Sequence, residues 1–242
     1  MSGFLLMLSF FTRIPLGKCV EYTDEKYKKG LVTFPLTGLV IGFFLAIIAC
    51  LPIATDTHKS ILLILTYLWV SGGIHLDGLA DSADGLLSGR SKERILDIMK
   101  DSRIGSFGVI GLILYFLVFY ISVQTLDFKW LWLMPFVGKS FGLIIAGFSR
   151  YAREEQGMGF IFMHHLHPKH SVCIAVINLV VSFWVLQWSG LISWIVSFTL
   201  LVIISKNVKQ KIDGQTGDTI GMIIEVGQMS FIFLGSLLMT VI

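Results

Sequence analysis

The chain has 242 residues, of which 55% are hydrophobic and only 14% charged, with a formal net charge of +3. Soluble domains carry about a quarter charged residues, so the composition excludes an ordinary soluble domain and points to a polytopic membrane protein. No polar stretch is long enough to form a separate soluble domain, so residues 1–242 read as one integral membrane domain, and the small net charge gives no case for nucleic acid.

A helix needs roughly 17–25 mostly apolar residues to cross a bilayer. Residues 2–12 are too few, and read as an interfacial or re-entrant segment. They follow no basic n-region and precede no small-residue cleavage site, so a cleaved signal peptide is not expected. Candidate spans follow at 34–53, 60–76, 105–126, 130–149, 171–188, 190–205 and 220–242, the fifth and sixth joined by "SG" at 189–190. The expected fold class is therefore all-α: a polytopic helical bundle of about seven transmembrane helices plus the short N-terminal segment. Cys19, Cys50 and Cys173 form no CxxC pattern and read as packing residues, with neither disulfide nor metal implied.

Seven spans place 13–33, 77–104, 150–170 and 206–219 on one side, and 54–59, 127–129 and 189–190 on the other. The first set holds 16 of the 19 Lys and Arg residues; the second holds Lys59 and Lys129, and Lys139 lies within a span. Excess Lys and Arg in short loops marks the cytoplasmic side. The expectation is a multi-pass protein of the cytoplasmic (inner) cell membrane, with its polar chemistry on the cytoplasmic face and its C-terminus external.

"HLDGLADSADG", residues 75–85, ends the second apolar run. Asp77, Asp81 and Asp84 are spaced i, i+4 and i+7, which puts them on one helical stripe. Like charges repel, more strongly where the dielectric is low. A divalent cation would neutralise them, and hard oxygen ligands suit Mg²⁺, with Mn²⁺ as the alternative. The bland alternative is an acidic loop facing water. Gly78 and Gly85 weaken the helix but permit close approach of another helix or a ligand. For His75, hydrogen bonding to substrate or orienting a carboxylate is favoured over ligation. "HHLHPKH" at 164–170 lacks zinc-site spacing and reads as a loop feature.

Asp101, Ser102 and Arg103 precede the third span, which opens on Gly105, Ser106 and Gly108. An arginine fork matches phosphate, and a helix N-terminus attracts anions, so this segment would serve metal and phosphate, or else be a positive-inside arginine with a capping aspartate. Asp218, in "GQTGD", would cap the last span or complete a metal site, and Gly217 allows a tight turn. Arg13, Arg150 and Arg153 would bind an anionic substrate or act as plain interfacial charges. Glu225 lies inside the last span, where a charge is costly unless paired, and Lys139 is its sign-matched candidate. Together these parts suggest metal-dependent chemistry at a phosphate or pyrophosphate near the membrane surface.

The segments "FFTRIP" (10–15), "FPLTGLVIG" (34–42), "GGIHLDGLADSADG" (72–85), "IMKDSRIGSFGVIGL" (98–112), "YAREEQGMG" (151–159) and "GQTGD" (214–218) resemble, in family order, the cobalamin synthase (adenosylcobinamide-GDP ribazoletransferase) family. Ser82, where Thr is usual, and the residues before Thr216 depart slightly from its pattern, and neither change removes a carboxylate. The resemblance implies transfer of the adenosylcobinamide phosphate moiety of adenosylcobinamide-GDP to α-ribazole, or its 5′-phosphate, with release of GMP and a need for Mg²⁺. It implies that Asp77, Asp81 and Asp84 hold metal with the pyrophosphate, with Asp101 and Asp218 completing the site. A homo-oligomer is left open. Two alternatives come from other classes. A lipid-acting CDP-alcohol phosphotransferase lacks support, because its DGxxAR core is absent: Asp77-Gly78 is followed by Asp81 and Ser82 where that core has Ala and Arg. A cation or proton transporter would be expected to carry midplane sites in paired, broken helices, which are not evident.

Overall fold

The computed structural model describes residues 2–17, 20–154 and 157–241; Cys19 lies outside them. The described residues form eleven α-helices, and the chain is a membrane protein. Helix α1 (Ser2–Phe11) is followed by α2 (Asp24–Gly30), whose N-terminus is capped by the Thr23 hydroxyl accepting from the Lys26 N–H. Asp24 and Glu25 in its first turn and Lys28 and Lys29 in its last complement the helix dipole. A 3₁₀ turn, Leu31–Thr33, leads directly into α3 (Phe34–Cys50). Then come α4 (Asp56–Ser71), α5 (Ile74–Leu87), α6 (Lys92–Ile98), α7 (Ser106–Ser122), α8 (Phe128–Ala146), α9 (Met158–His164), α10 (Pro168–Ile212) and α11 (Gly217–Val241).

The centre of the bundle is α8, buried along nearly its whole length and packed against α3, α10 and α11. Apolar side chains gain little by leaving lipid for a helix interface, so association in a membrane relies on small residues that let backbones meet. Here Gly38 and Gly42, one turn apart on α3, face α8. A Cβ at Gly42 would overlap the Trp132 carbonyl, and one at Gly38 the Pro135 carbonyl. Gly138 and Gly235 do the same between α8 and α11, against Gln228 and the Trp130 ring.

Two features depart from the expected threading. The apolar run expected to continue to residue 76 stops at Ser71: Gly72 and Gly73 both adopt positive φ (70° and 75°), and α5 leaves at 95° to α4. The aspartate stripe is thus on a separate helix set crosswise to α4. Helix α10 is interrupted at Gln187 (φ 54°, ψ −144°), two residues before the expected turn. The indole N–H of Trp194 donates to Asn178 Oδ1, sixteen residues away. An unbroken helix would separate them by about 24 Å at 1.5 Å per residue, so the chain doubles back at Gln187. Asn178 in turn donates to Ser140 of α8 (2.8 Å), tying both arms to the central helix.

Asp24–Cys50, α8, α10 and Gly217–Thr240 are long and apolar enough to cross a membrane, and the bent pair α4–α5 makes a fifth candidate. At 17 residues, α7 is apolar but short. By length and composition the count is therefore four to five, where seven was expected. At ten residues α1 is shorter than any span. Cys50 and Cys173 are exposed on the helix surface and are not packed in the interior, as the sequence reading had them.

The α3–α8 contact leads to a stability prediction. Gly42→Leu forces the backbones apart and should cost about 1–3 kcal/mol, the scale of an overpacked core, lowering the thermal midpoint in detergent. Phe43→Leu, at a neighbouring position 56% exposed, should leave that midpoint unchanged.

Candidate active site

Helix α5 crosses the first turn of α11. The crossing is close because Gly78 has no side chain: a Cβ there would lie 2.7 Å from the Asp218 carbonyl oxygen and 3.1 Å from its Cα. On α11, Gly221 faces the backbone of His75 and Gly78 in the same way. Farther along α5, Gly85 meets Met99 and the Ile95 carbonyl, which seats α6. The glycines in the acidic motif are therefore points of helix contact.

This crossing places Asp218 beside the α5 stripe, on which Asp77 is exposed and Asp81 and Asp84 are half-buried. The Asp81 carboxyl is pushed up to about 6, first by burial and then by the neighbouring charges of Asp77, Asp218 and Asp84; Arg153 pulls the other way. A carboxylic acid so tuned sits near the range in which general bases work.

Asp84 has a different environment. Its carboxylate accepts from the Gly105 N–H (2.7 Å) and the Gly108 N–H (2.9 Å), the free donors at the start of α7. A Cβ at either glycine would press on the Asp84 carboxylate. The Gly-rich helix start was expected to receive a phosphate, and the anion it holds is Asp84 itself. Asp101 and Arg103 also satisfy each other, through Nε to Oδ1 (3.0 Å) and a terminal guanidinium nitrogen to Oδ2 (2.6 Å). Hydrogen bonds from the Arg103 side chain and backbone hold Asp101 down at about 2. Ser102 beside them is exposed.

The cation beside the acidic stripe is Arg153. Its guanidinium donates to Asp218 at 2.7 Å, while its buried Nε has no hydrogen-bond partner among the described residues. Backbone pairing positions it: Ala152 N–H donates to the Gln215 carbonyl (2.9 Å), and Gln215 N–H to the Arg150 carbonyl (2.8 Å). Gly214 is needed there, since a Cβ would lie 2.5 Å from the Arg150 carbonyl oxygen. Thr216 caps α11, its hydroxyl accepting from the Thr219 N–H (3.2 Å) while the Thr219 hydroxyl accepts from the Thr216 N–H (2.8 Å). Arg150 is exposed and lies in a separate cleft with Lys206 and Lys209. Arg13 is exposed beside the α4–α5 bend, its stem over Gly72 and its backbone N–H donating to the Val70 carbonyl (2.8 Å).

His75 is buried away from the stripe. Its ring stacks on Phe11 (centroids 5.6 Å) and meets the edge of Phe34, and its Nδ1 is 3.9 Å from Glu225 Oε1, beyond hydrogen-bond range. These rings form part of a cleft of about 260 Å³ whose wall also contains Asp77, Gly78, Gly217 and Asp218. Behind it, the buried Lys139 ammonium lies 4.8 Å from the Phe34 ring centroid and 5.7 Å from that of Phe11. Glu225 accepts from the Tyr67 hydroxyl (2.7 Å) and from Gln228 (3.2 Å).

The structure thus gathers Asp77, Asp81, Asp84, Asp218, Arg153 and Gly217. Sequence reasoning named Arg153 and Asp218 separately but missed their pairing, and it missed the aromatic wall and the Tyr67–Glu225–Gln228 cluster; none of these has a local sequence signature. Among the described residues no group of three His, Cys, Asp or Glu side chains is placed to hold a metal ion together. Two carboxylates on the wall of the cleft, Asp77 and Asp218, are of the hard oxygen type that suits a divalent ion completed by water and phosphate.

Residues 3–236 match the family model described as cobalamin-5-phosphate synthase. The chain is 34% identical over 237 residues to adenosylcobinamide-GDP ribazoletransferase of Clostridium novyi (strain NT), covering 96% of this chain and 95% of that one. It is 35% identical over 245 residues to the enzyme of the same name from Alkaliphilus oremlandii (strain OhILAs), with full coverage of both. For the Acetivibrio thermocellus protein of that name the identity is 37% over 240 residues, 95% of each chain. No solved structure matches.

The two half-buried aspartates should respond oppositely to substitution. Stability from a group with a raised folded pKa is full below its unfolded value and is lost as pH rises through about 6. Asp81→Asn should therefore raise the thermal midpoint of the ligand-free protein at pH 8 and change it little at pH 4. Asp84→Ala, which orphans two N–H groups at the start of α7, should cost about 1–3 kcal/mol. In difference infrared spectra of metal-free protein, Asp77→Asn should move the Asp81 carboxyl titration to lower pH, because one repelling charge is removed.

Proposed function

The chain belongs to the cobalamin-5-phosphate synthase family, and from that premise we propose that it transfers the adenosylcobinamide phosphate moiety of adenosylcobinamide-GDP to α-ribazole or its 5′-phosphate, releasing GMP, as a step of cobalamin biosynthesis. The observation that carries the site assignment is the crossing of α5 over α11 at Gly78, which sets Asp77 and Asp81 against Asp218 and Arg153.

In this reading a ribose hydroxyl of the acceptor attacks the phosphorus bearing the cobinamide arm. The new O–P bond forms as the pyrophosphate P–O bond breaks, and that electron pair departs with GMP. Asp81 receives the hydroxyl proton, a role its carboxyl near pH 6 supports. Asp77 and Asp218 would hold Mg²⁺, which when bound offsets charge on the pyrophosphate and the leaving phosphate. Arg153 binds a phosphate oxygen through donors not committed to Asp218. Asp84 fixes the start of α7 against α5 and keeps the stripe in register. His75 shapes the aromatic cleft.

The positive-inside bias supports a site on the cytoplasmic face of the cell membrane. With α4, α7 and both arms of α10 each crossing, seven spans leave the C-terminus external. A reporter fused to the C-terminus should accordingly read external; a cytoplasmic signal would remove the seven-span threading.

The chemistry is tested with protein purified in detergent, adenosylcobinamide-GDP, α-ribazole 5′-phosphate and Mg²⁺. Chelation should abolish GMP release and Mg²⁺ should restore it. Asp81→Asn should lower kcat by about 10²–10⁴, the scale of a lost general base, and Asp77→Ala and Asp218→Ala should raise the Mg²⁺ needed for half-maximal rate. GMP release that survives Asp77→Ala and Asp81→Ala would sink the site assignment. Exchange of a CDP-linked lipid with no GMP release would point to lipid phosphotransfer, and cation flux in proteoliposomes to transport.

A further inference from the structure

Resting on the transferase reading, we propose that the aromatic cleft beside Asp77 and Asp218 binds the flat heteroaromatic base of the acceptor nucleoside, leaving its ribose at the carboxylates. The cleft is bounded by α1, α2, α3, α5, α9 and α11. Three of its rings are set edge to face: Phe11 on Phe34 (4.6 Å) and Phe34 on Phe162 (5.5 Å). Met163 adds a thioether and His75 a ring able to hydrogen-bond. Aromatic pairs favour such offset and edge-on contacts over a sandwich, and sulfur packs well against a ring edge.

Size and polarity select among the parts of the two substrates. A cleft of about 260 Å³ lies below the roughly 300–1,000 Å³ that takes drug-sized ligands. It suits one bicyclic base and is too small for a corrin. With Asp77 and Asp218 committed to the metal in this reading, a guanine edge would find only the Tyr27 hydroxyl and His75 on a wall that is otherwise mostly phenylalanine, methionine, isoleucine and glycine, and its remaining donors and acceptors would go unpaired at a large cost. The dimethylbenzimidazole of ribazole presents two methyl groups and a single free ring nitrogen, for which His75 supplies a partner. The base of the acceptor fits this wall, and the base of the donor does not.

Position supports the same choice. Asp77, Gly78, Gly217 and Asp218 belong to the same wall, so a base lying against Phe11 and Phe162, with Phe34 behind them, has its sugar next to the acidic stripe. The Lys139 ammonium sits against the rings of Phe34 and Phe11 from within the bundle, a cation–π contact that holds that side of the slot in place.

The test is steady-state kinetics combined with equilibrium dialysis of labelled α-ribazole in the absence of donor. Phe162→Ala should raise KM for α-ribazole about tenfold, equivalent to about 1.4 kcal/mol, with KM for adenosylcobinamide-GDP unchanged. Met158→Trp, at a half-exposed position of the same wall, narrows the slot without removing a buried ring and should weaken ribazole in the same way. Acceptor KM unchanged in both variants, or donor KM rising in place of it, overturns the assignment and leaves the transferase reading intact. Ribazole binding that both variants weaken, in a protein that releases no GMP, supports the cleft and removes the transferase reading.

Discussion

A carboxylate left bare in an apolar slab is expensive, and this constraint shapes the molecule around its acidic residues. The chain meets it in three ways. At Gly72 and Gly73 it turns by 95°, so that the stripe on α5 does not continue the line of α4. Asp84 is supplied with two backbone N–H donors from α7. Glu225, which does remain inside a spanning helix, is surrounded by the Tyr67 hydroxyl and the Gln228 amide. Asp81 receives the least compensation, and its raised pKa is the result. A residue left uncomfortable in an otherwise satisfied framework is where functional strain is expected to be stored.

The site also depends on closeness, which glycine provides. Gly38 and Gly42 fix α3 on α8, Gly138 and Gly235 fix α11 on α8, and Gly78 and Gly221 then fix α5 on α11. Each contact is backbone against backbone or ring, with little slack for sliding. The position of Asp77 and Asp81 relative to Asp218 is therefore inherited from the packing of the central helix. A catalytic constellation must be held within a fraction of an ångström, and a chain of direct helix contacts supplies that without any buried metal cage.

Much of this was legible in the sequence because it is local. The i, i+4, i+7 spacing gave the stripe, the apolar runs gave the helices, and the glycines flanking the aspartates gave the close approaches. What was not legible depends on residues far apart in the chain. Asp84 and Gly105 are 21 positions apart, and Arg153 and Asp218 are 65 apart; no local periodicity links them. The cleft draws its rings from α1, α3 and α9, each of which reads alone as ordinary apolar packing. The bend at Gly72–Gly73 was also hidden, since an apolar run shows where hydrophobic residues stop and says nothing about direction. The reversal at Gln187 carries no turn residue of its own, and "SG" two residues later was the more conspicuous signal.

The capture of Asp84 alters where a phosphate can sit. Two helix N-termini meet α5, and both attract anions. That of α7 is filled by Asp84, which removes it as a phosphate site and leaves Asp101 and Arg103 bound to each other outside it. That of α11 opens with Gly217, at which a Cβ would meet nothing within 4 Å, so its backbone is open to the cleft. Beside it, Arg153 spends one terminal nitrogen on Asp218 and keeps a buried Nε without a partner among the described residues. The electrostatics therefore converge on α11: the carboxylates of α5 on one side, Arg153 and an open helix start on the other.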